Sequence, residues 1–201
     1  DIPEHGVMRW NELALSKAAS AAGFSPQVIH SEWGVLVLDF IEARTFTEVD
    51  VKDPVNLTRI VALIAKMHRE IGSHLKQPVL AFWPYHVNRC YIARLNSDGS
   101  RHQKSLTTML AQNSQLETAT GQTEMVISHN DLLAANILDD GNKLWLIDWE
   151  YGGFNSPLFD LGGLATNNGL TEVQERLMLE NYFESPSADT LWHSYTAMKC
   201  A

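Results

Sequence analysis

The 201-residue sequence predicts an α+β fold, in which helices occupy most of the chain and strands are confined to two stretches. Apolar residues recur at helical spacing over 54–74, which is the clearest helical pattern. Strand-forming runs occur within 27–41 and again within 125–150. Hydrophobic residues make up 45% of the chain and charged residues 19%, so a core can form without disulfide or metal staples.

Composition and end signals predict the individual helices. The predicted segments are residues 8–22, 54–74, 105–117, 171–184 and 188–199. Gly23 ends the first helix, which is rich in Ala and Leu. Asp53 is the expected N-cap of the second, with Pro54 at its first position. Thr171 and Gln174 form the capping pair of the fourth.

The strand-like runs predict two hairpins. In the first, Gln27–His30 and Val35–Ile41 flank a turn at 32–34. The second lies within 125–150, after a short strand and a polar loop. Between the hairpins, residues 75–104 give no clear assignment, because prolines, clustered aromatic residues and the turn sequence Asn-Ser-Asp-Gly interrupt any periodicity.

The charge balance excludes several classes of partner. Acidic residues outnumber basic ones by 24 to 15, and the net charge of −9 disfavours nucleic acid and anionic membrane surfaces. No apolar run reaches the ~18–20 residues of a membrane span. Cys90 and Cys200 lie far apart and form no metal or redox motif. We expect a cytoplasmic protein.

Three polar residues, Asp131, Asn136 and Asp148, stand in an otherwise apolar stretch. A turn at 141–142 places Asn136 opposite Ile147, next to Asp148, whereas a turn at 140–141 places it opposite Trp145. Either register brings an amide oxygen and a carboxylate to one end of the hairpin, and the loop of Asp131 runs into that end. Such oxygens suit Mg²⁺, which completes its shell with water and phosphates.

The spacing of these residues matches a set used in phosphoryl transfer. Protein kinases combine a loop of the form H-x-D-x-x-x-x-N with a later Asp-Phe-Gly, and both carry metal-binding or catalytic side chains. Here His129, Asp131 and Asn136 fit the loop, and Asp148-Trp149-Glu150 stands in the place of the second motif. The ordered combination is more specific than either motif alone.

Longer strings resemble one family. SHNDLLAANIL and LWLIDWEYGGFNSPLFDLGGL resemble the catalytic loop and the following motif of choline/ethanolamine kinases, in the aminoglycoside phosphotransferase superfamily. The resemblance implies a protein-kinase-like fold, with a partial small β-lobe and a mainly helical C-terminal lobe. Residues 1–42 would be the remnant of the N-terminal lobe, and residues 43–201 the C-terminal lobe with the catalytic loop and metal-binding hairpin.

The resemblance also implies roles for single residues. Asp131 would be the catalytic residue that orients or deprotonates the substrate hydroxyl. The metal ligands of Mg²⁺ would be Asn136, Asp148 and Glu150, and Glu150 with Tyr151 would reach the substrate. His129 and Asp160 would support the loop structurally.

Nucleotide binding is implied for two further places. The backbone around Asp39, Phe40 and Ile41 would meet the adenine of ATP, and Glu12 would pair with the ATP-binding lysine. No glycine-rich phosphate loop or strand lysine precedes the helix at 8–22, so we expect either a fragment, which we favour, or a loss of the phosphate clamp.

The implied activity is transfer of the ATP γ-phosphate to a small, cationic alcohol of the choline/ethanolamine type. Thiamine or aminoglycoside kinases of the same fold, and a non-catalytic scaffold, are the alternatives. Leu133 departs from the Gln that choline kinases often carry in this loop, which puts choline itself in question. Five aromatic residues could form a cage for an ammonium group, although we favour packing for each: Trp83, Tyr85, Tyr151, Trp192 and Tyr195.

Overall fold

A computed structural model describes residues 1–2, 7–186 and 188–201. Residues 3–6, inside the expected 1–42 segment, lie outside the described residues. The helices are α1 (Arg9–Ala21), α2 (Glu48–Lys52), α3 (Pro54–Glu70), α4 (Pro84–Ser97), α5 (Gln103–Thr120), α6 (Pro157–Asn168), α7 (Glu172–Phe183) and α8 (Asp189–Lys199). Short 3₁₀ turns follow α3 at Ile71–His74 and precede the second hairpin at Ala134–Asn136.

The strands in the described part of the chain form three small antiparallel sheets. They are β1 (Val28–Glu32), β2 (Val35–Leu38), β3 (Arg44–Thr45), β4 (Val126–Ser128), β5 (Ile137–Asp139), β6 (Leu144–Leu146) and β7 (Gly153–Asn155). β1 pairs with β2, β5 lies between β3 and β6, and β4 pairs with β7. Helices and short antiparallel strands therefore occupy separate parts of the fold, which confirms the predicted α+β class.

The five predicted helices are confirmed, with shifts at their ends. Asp53 accepts hydrogen bonds from the amides of Val55 and Asn56, as expected of the N-cap of α3. Thr171 and Gln174 form the predicted capping box of α7. Two long helices, α4 and α6, lie where the sequence patterns gave no assignment.

The core is organised around α3. Leu57, Ile60, Ile64 and Met67 are buried along one face of this helix, which packs against α7 and the strands β4 and β6. At the other side of the molecule, α8 packs against α5 and α6. The loop and hairpin that carry Asp131 and Asp148 are thus supported from below by helices. Among the described residues, no helix is long and apolar enough to cross a bilayer.

A close backbone approach fixes the segment that follows the hairpin. The amide of Phe154 donates to the Leu80 carbonyl oxygen at 2.8 Å, and the amide of Phe82 donates to the Phe154 carbonyl oxygen at 2.9 Å. Gly153 lies directly against the Leu80 carbonyl, where a Cβ atom would collide with it. This glycine is therefore required by packing.

Gly153→Ala is expected to destabilise the protein by roughly 1–3 kcal/mol, the usual cost of overpacking. The matched control is Gly163→Ala in α6, where an added Cβ meets nothing within 4 Å. That variant should gain about 0.5–1 kcal/mol from helix propensity. Urea unfolding of both variants measures the difference, and equal stabilities would contradict the close contact at Gly153.

Candidate active site

The second hairpin adopts the first of the two predicted registers. Ile137 pairs with Leu146, and the Ile147 amide donates to the Asn136 carbonyl oxygen at 3.1 Å. The two-residue turn is therefore Gly141-Asn142. This register places Asn136 opposite Ile147 and beside Asp148, at the end of the hairpin that the Asp131 loop enters.

Asp131 is half-buried and bonded to Asn136. The Asn136 side-chain amide donates to the Asp131 carbonyl oxygen at 2.9 Å and to its Oδ2 at 3.3 Å. Burial is the main cause that raises the pKa of the Asp131 carboxyl; the His129 ring opposes this shift and the charge of Asp148 adds to it. The carboxylates of Asp131 and Asp148 are therefore close enough for the charge of Asp148 to raise the pKa of Asp131.

Asp148 presents an exposed carboxylate from a left-handed backbone conformation, with φ of 66°. Neither its carboxylate nor Oδ1 of Asn136 accepts a hydrogen bond from the described residues, so both remain available as oxygen ligands. No cluster of three or more His, Cys, Asp and Glu side chains in the described ranges could hold a metal alone. The donor set fits Mg²⁺, which takes few protein oxygens and keeps water or phosphate ligands.

His129 connects the loop with the end of the hairpin. The Asp131 amide donates to its Nδ1 at 3.3 Å, and its Nε2 lies 2.9 Å from the Ile147 carbonyl oxygen. Nδ1 is therefore the acceptor and Nε2–H the donor. The ring also contacts the buried Trp149 ring, with centroids 4.7 Å apart. Both imidazole nitrogens and one face of the ring therefore make contacts that support the loop.

Asp160, near the start of α6, lies fully buried beneath the loop. Its Oδ2 accepts from the His129 amide at 2.9 Å and its Oδ1 from the Asn130 amide at 2.7 Å. Nε2 of His68 lies 2.9 Å from Oδ2. Burial alone would raise the pKa of Asp160, but the hydrogen bond from His68 and charge interactions with the His68 and His129 rings hold it below its ordinary value. One carboxylate therefore satisfies two successive loop amides.

Two supporting residues were not predicted as part of the site. His68, which the sequence pattern indicated as a core residue, is buried, and its Nδ1 lies 2.8 Å from the Tyr182 hydroxyl. Asn130 has a φ of 66°, donates to the Tyr151 carbonyl oxygen at 2.9 Å and accepts from Asn155 at 2.9 Å. The only local signal for Asn130 is its place between His129 and Asp131.

Glu12 and Glu150 meet the same arginine. The guanidinium of Arg9 lies 2.6 Å from Oε2 of Glu12 and 3.4 Å from Oε2 of Glu150. Glu12 on α1 is thereby placed close to the Asp148 loop, and its ion-pair partner among the described residues is Arg9. This contact between α1 and Glu150 had no sequence signal.

The expected adenine-contacting segment 39–41 follows β2. The Asp39 amide donates to the Gln27 carbonyl oxygen at 2.7 Å, and the Phe40 amide donates to the Asp39 carboxylate at 2.9 Å. The Phe40 side chain is 86% exposed. The chain then enters β3, which pairs with β5 next to Asn136, so the segment runs toward the hairpin without contacting Asp131.

The five aromatic residues do not assemble into a cage. Tyr85 and Tyr195 are fully buried; Tyr85 is bonded to Thr120, and Tyr195 donates to Glu175. The Trp192 ring is covered by Arg176 at 4.0 Å. Tyr151 alone lies at the site, where burial raises its pKa and the charges of Glu150, Asp131 and Asp148 add to that shift.

The chain is similar to known proteins in sequence and in fold. The sequence matches the profile of choline/ethanolamine kinase over residues 3–176. A probable ethanolamine kinase of Arabidopsis thaliana is 31% identical over 170 residues, covering 79% of this chain and 45% of the plant protein. A choline/ethanolamine kinase family protein of Mesorhizobium loti has a structure of TM-score 0.77 and 26% identity, covering 96% of this chain and 66% of that one.

A structure of LicA in complex with AMP gives a TM-score of 0.69 at 20% identity, over 95% of this chain and 70% of LicA. The chain spans about half the length of the Arabidopsis protein, with 45% of it covered. The predicted protein-kinase-like fold is confirmed by these structures. Since the profile match includes the loop at 129–136 and the hairpin end at Asp148, the chain belongs to the choline/ethanolamine kinase family.

Proposed function

We propose that the protein containing this chain transfers the γ-phosphate of ATP to the hydroxyl group of a small cationic alcohol of the choline/ethanolamine type. The observation that carries the proposal is the register of the second hairpin, which places Asn136 beside Asp148 while Asn136 also holds Asp131. A proton acceptor and two free oxygen ligands therefore share one end of the hairpin. Phosphoryl transfer needs little more than such positioning and charge neutralisation.

Each residue takes a defined role in this reaction. The oxygen of the substrate hydroxyl bonds to the γ-phosphorus while the bond between that phosphorus and the bridging oxygen of ADP breaks. Asp131 accepts the proton that the hydroxyl loses. Asn136 and Asp148 would hold Mg²⁺, which neutralises phosphate charge when bound. Asp160 and His129 keep the loop backbone in place through the bonds described above.

The acidic surroundings support a cationic acceptor. Burial raises the pKa of the Tyr151 hydroxyl, and the negative charges of Glu150, Asp131 and Asp148 raise it further. An ammonium group in the same place is attracted by these charges and by the ring face. Glu150 and Tyr151 are therefore the proposed substrate contacts. Glu150 remains the third proposed metal ligand, since it stands two residues after Asp148.

Nucleotide binding belongs to the same proposal. The backbone of residues 39–41 would contact adenine, and Glu12 would pair with a lysine of the N-terminal lobe, of which residues 1–42 are the proposed remnant. The AMP complex of LicA, a protein of the same fold, supports the use of an adenine nucleotide. A cytoplasmic location, where ATP is available, completes the proposal.

Asp148→Ala is expected to remove the metal dependence of nucleotide binding together with phosphorylation, because Asp148 supplies the one unpaired carboxylate beside Asn136. Isothermal titration of ATP with and without Mg²⁺ measures the first effect. Asp98→Ala removes an exposed carboxylate directly after α4 and is the control. If Asp148→Ala binds Mg·ATP as tightly as the unaltered protein, the proposed metal site is wrong.

The acceptor is tested by a phosphorylation screen with ethanolamine, choline, thiamine and an aminoglycoside. Both the 201-residue chain and the longest natural protein that contains it are assayed, because the chain covers only 45% of the Arabidopsis relative. Turnover of ethanolamine or choline in preference to the other two is expected. Phosphorylation of none of these alcohols by either protein would contradict the proposal.

A further inference from the structure

Asn11 lies in the first turn of α1 and joins three segments of the chain. Its side chain is buried, with 1% of the residue exposed. Nδ2 donates to the Gly152 carbonyl oxygen at 2.8 Å, and Oδ1 accepts from the Leu80 amide at 2.8 Å. Both ends of the amide are used, so the orientation of Asn11 is fixed by its two partners.

The same face of α1 presses against the loop that follows Asp148. A Cβ atom at Gly152 would lie 2.7 Å from Cδ1 of Leu15, one turn after Asn11. Two residues before Asn11, at the start of the helix, Arg9 reaches Glu150 at 3.4 Å. Arg9, Asn11 and Leu15, all in the first two turns of α1, therefore lie against residues 150–152.

Contacts with other segments of the chain hold the loop of residues 148–152, which begins with Asp148. Asp148 has the left-handed φ of 66°, a conformation that costs energy for a residue other than glycine. Its carboxylate receives no hydrogen bond from the described residues. The position of Asp148 therefore depends on its neighbours in the chain. Ile147, directly before it, is held by its bonds with Asn136 and His129. After it, Nε1 of Trp149 donates to the Ser25 hydroxyl at 2.7 Å, the Tyr151 carbonyl oxygen accepts from Asn130, and Asn11 holds Gly152.

We infer that Asn11 is a positioning residue for the loop of residues 148–152, and that it tunes the affinity of the Asp148 and Asn136 oxygens for a divalent cation. The metal part of this inference rests on the proposed function. The anchoring part rests on the two hydrogen bonds of Asn11 and on the close packing at Gly152. Residues that orient metal ligands from behind typically change metal affinity by about 10–100-fold when replaced.

The test compares Asn11→Ala with Asn113→Ala. Asn113 on α5 is also a buried asparagine, and its side chain likewise makes two bonds. It donates to the Tyr85 carbonyl oxygen and accepts from Nδ2 of Asn88, each at 3.0 Å. Both variants lose a buried amide, so similar losses of stability are expected. Asn11→Asp keeps the oxygen that accepts from the Leu80 amide and removes the nitrogen that donates to the Gly152 carbonyl oxygen. This variant replaces Asn11→Ala in the test if the alanine variant does not fold.

Two measurements follow, neither of which uses activity. Hydrogen exchange of the 148–154 segment should be at least roughly tenfold faster in Asn11→Ala than in Asn113→Ala, since local opening depends on local anchors. Mn²⁺ binding in the presence of ATP, followed by electron paramagnetic resonance, should weaken at least roughly tenfold in Asn11→Ala alone.

The possible results distinguish the anchoring part of the inference from the metal part. Equal exchange of the 148–154 segment in the two alanine variants overturns the anchoring role of Asn11. Faster exchange with unchanged Mn²⁺ affinity overturns the link to the metal. If the unaltered protein binds no Mn²⁺ with ATP, the proposed function fails together with the metal part, while the exchange result still decides the anchoring role.

Discussion

Replacing Asp131 by alanine is expected to lower the rate of ATP-dependent phosphorylation by roughly 10²–10⁴-fold, the usual contribution of a positioned general base. Nucleotide binding with Mg²⁺ should persist, because Asn136 and Asp148 keep their oxygens. The fold should persist as well, since in the part of the chain that the structure describes the Asp131 carboxylate accepts one long hydrogen bond, from Nδ2 of Asn136 at 3.3 Å. The change therefore removes a reacting group without removing a structural one.

The measurement is steady-state turnover with the best acceptor from the phosphorylation screen, beside calorimetric titration of Mg·ATP. Asp131→Asn preserves the shape and the bond from Asn136 but cannot accept the substrate proton, so it should be nearly as slow as the alanine variant. Asp98→Ala, at the exposed C-terminal end of α4, should leave turnover unchanged. Turnover retained in Asp131→Asn would refute the role of Asp131 as the base.

The site's local geometry was predictable because its signals are local. Strand-forming apolar runs on either side of turn residues predict the second hairpin, and turn chemistry reduces its register to two alternatives. Local sequence does not choose between them, since both turns are acceptable. The choice depends on partners from elsewhere, including the bond from His129 to the Ile147 carbonyl oxygen.

The two unassigned helices were missed for different physical reasons. α4 begins with Pro84 at its first position, but Tyr85 and Ile92 are its only other buried residues in the described chain, so its apolar pattern is weak. α6 contains Gly162 and Gly163, which lower helix propensity. Gly162 is explained by packing, because a Cβ there would lie 3.2 Å from Cα of Lys199 on α8.

Long-range hydrogen bonds were beyond any local pattern. Asn11 and its partner Gly152 are 141 residues apart, and Asp160 is about 30 residues from the loop amides that it binds. The structural role of Asp160 was implied by family resemblance, whereas Asn11 had no such signal. Side chains whose function depends on a distant backbone group must be found in the fold.

Asp160→Ala is expected to produce the largest loss of stability, about 3–5 kcal/mol, because three buried donors lose their acceptor at roughly 1–3 kcal/mol each. The change leaves the amides of His129 and Asn130 and Nε2 of His68 without their acceptor in a buried place. For a chain of this size, such a loss corresponds to a fall in melting temperature of roughly 6–20 °C. Asp98→Ala, which breaks an exposed pair with Arg94, should cost at most about 1 kcal/mol.

The same residue gives stability a defined pH dependence. The pKa of Asp160 is lower in the folded protein than its ordinary value of 3.8, so the folded state favours the charged carboxylate. Its contribution is present above the unfolded pKa and is lost as the pH falls through the folded pKa. The His68 and His129 rings and the Tyr182 hydroxyl surround this carboxylate from α3, the loop and α7.

Urea unfolding measured from pH 7 down to acid pH tests this dependence. The unaltered protein should lose stability below about pH 4, where the ordinary value of 3.8 lies, whereas Asp160→Asn should start less stable and lose less over the same range. His68→Leu removes the side-chain donor while the two amide donors remain, so its acid dependence should be intermediate. Parallel acid curves for the unaltered protein and Asp160→Asn would show that another carboxylate controls the transition, because removing the titrating group must flatten the slope to which it contributes.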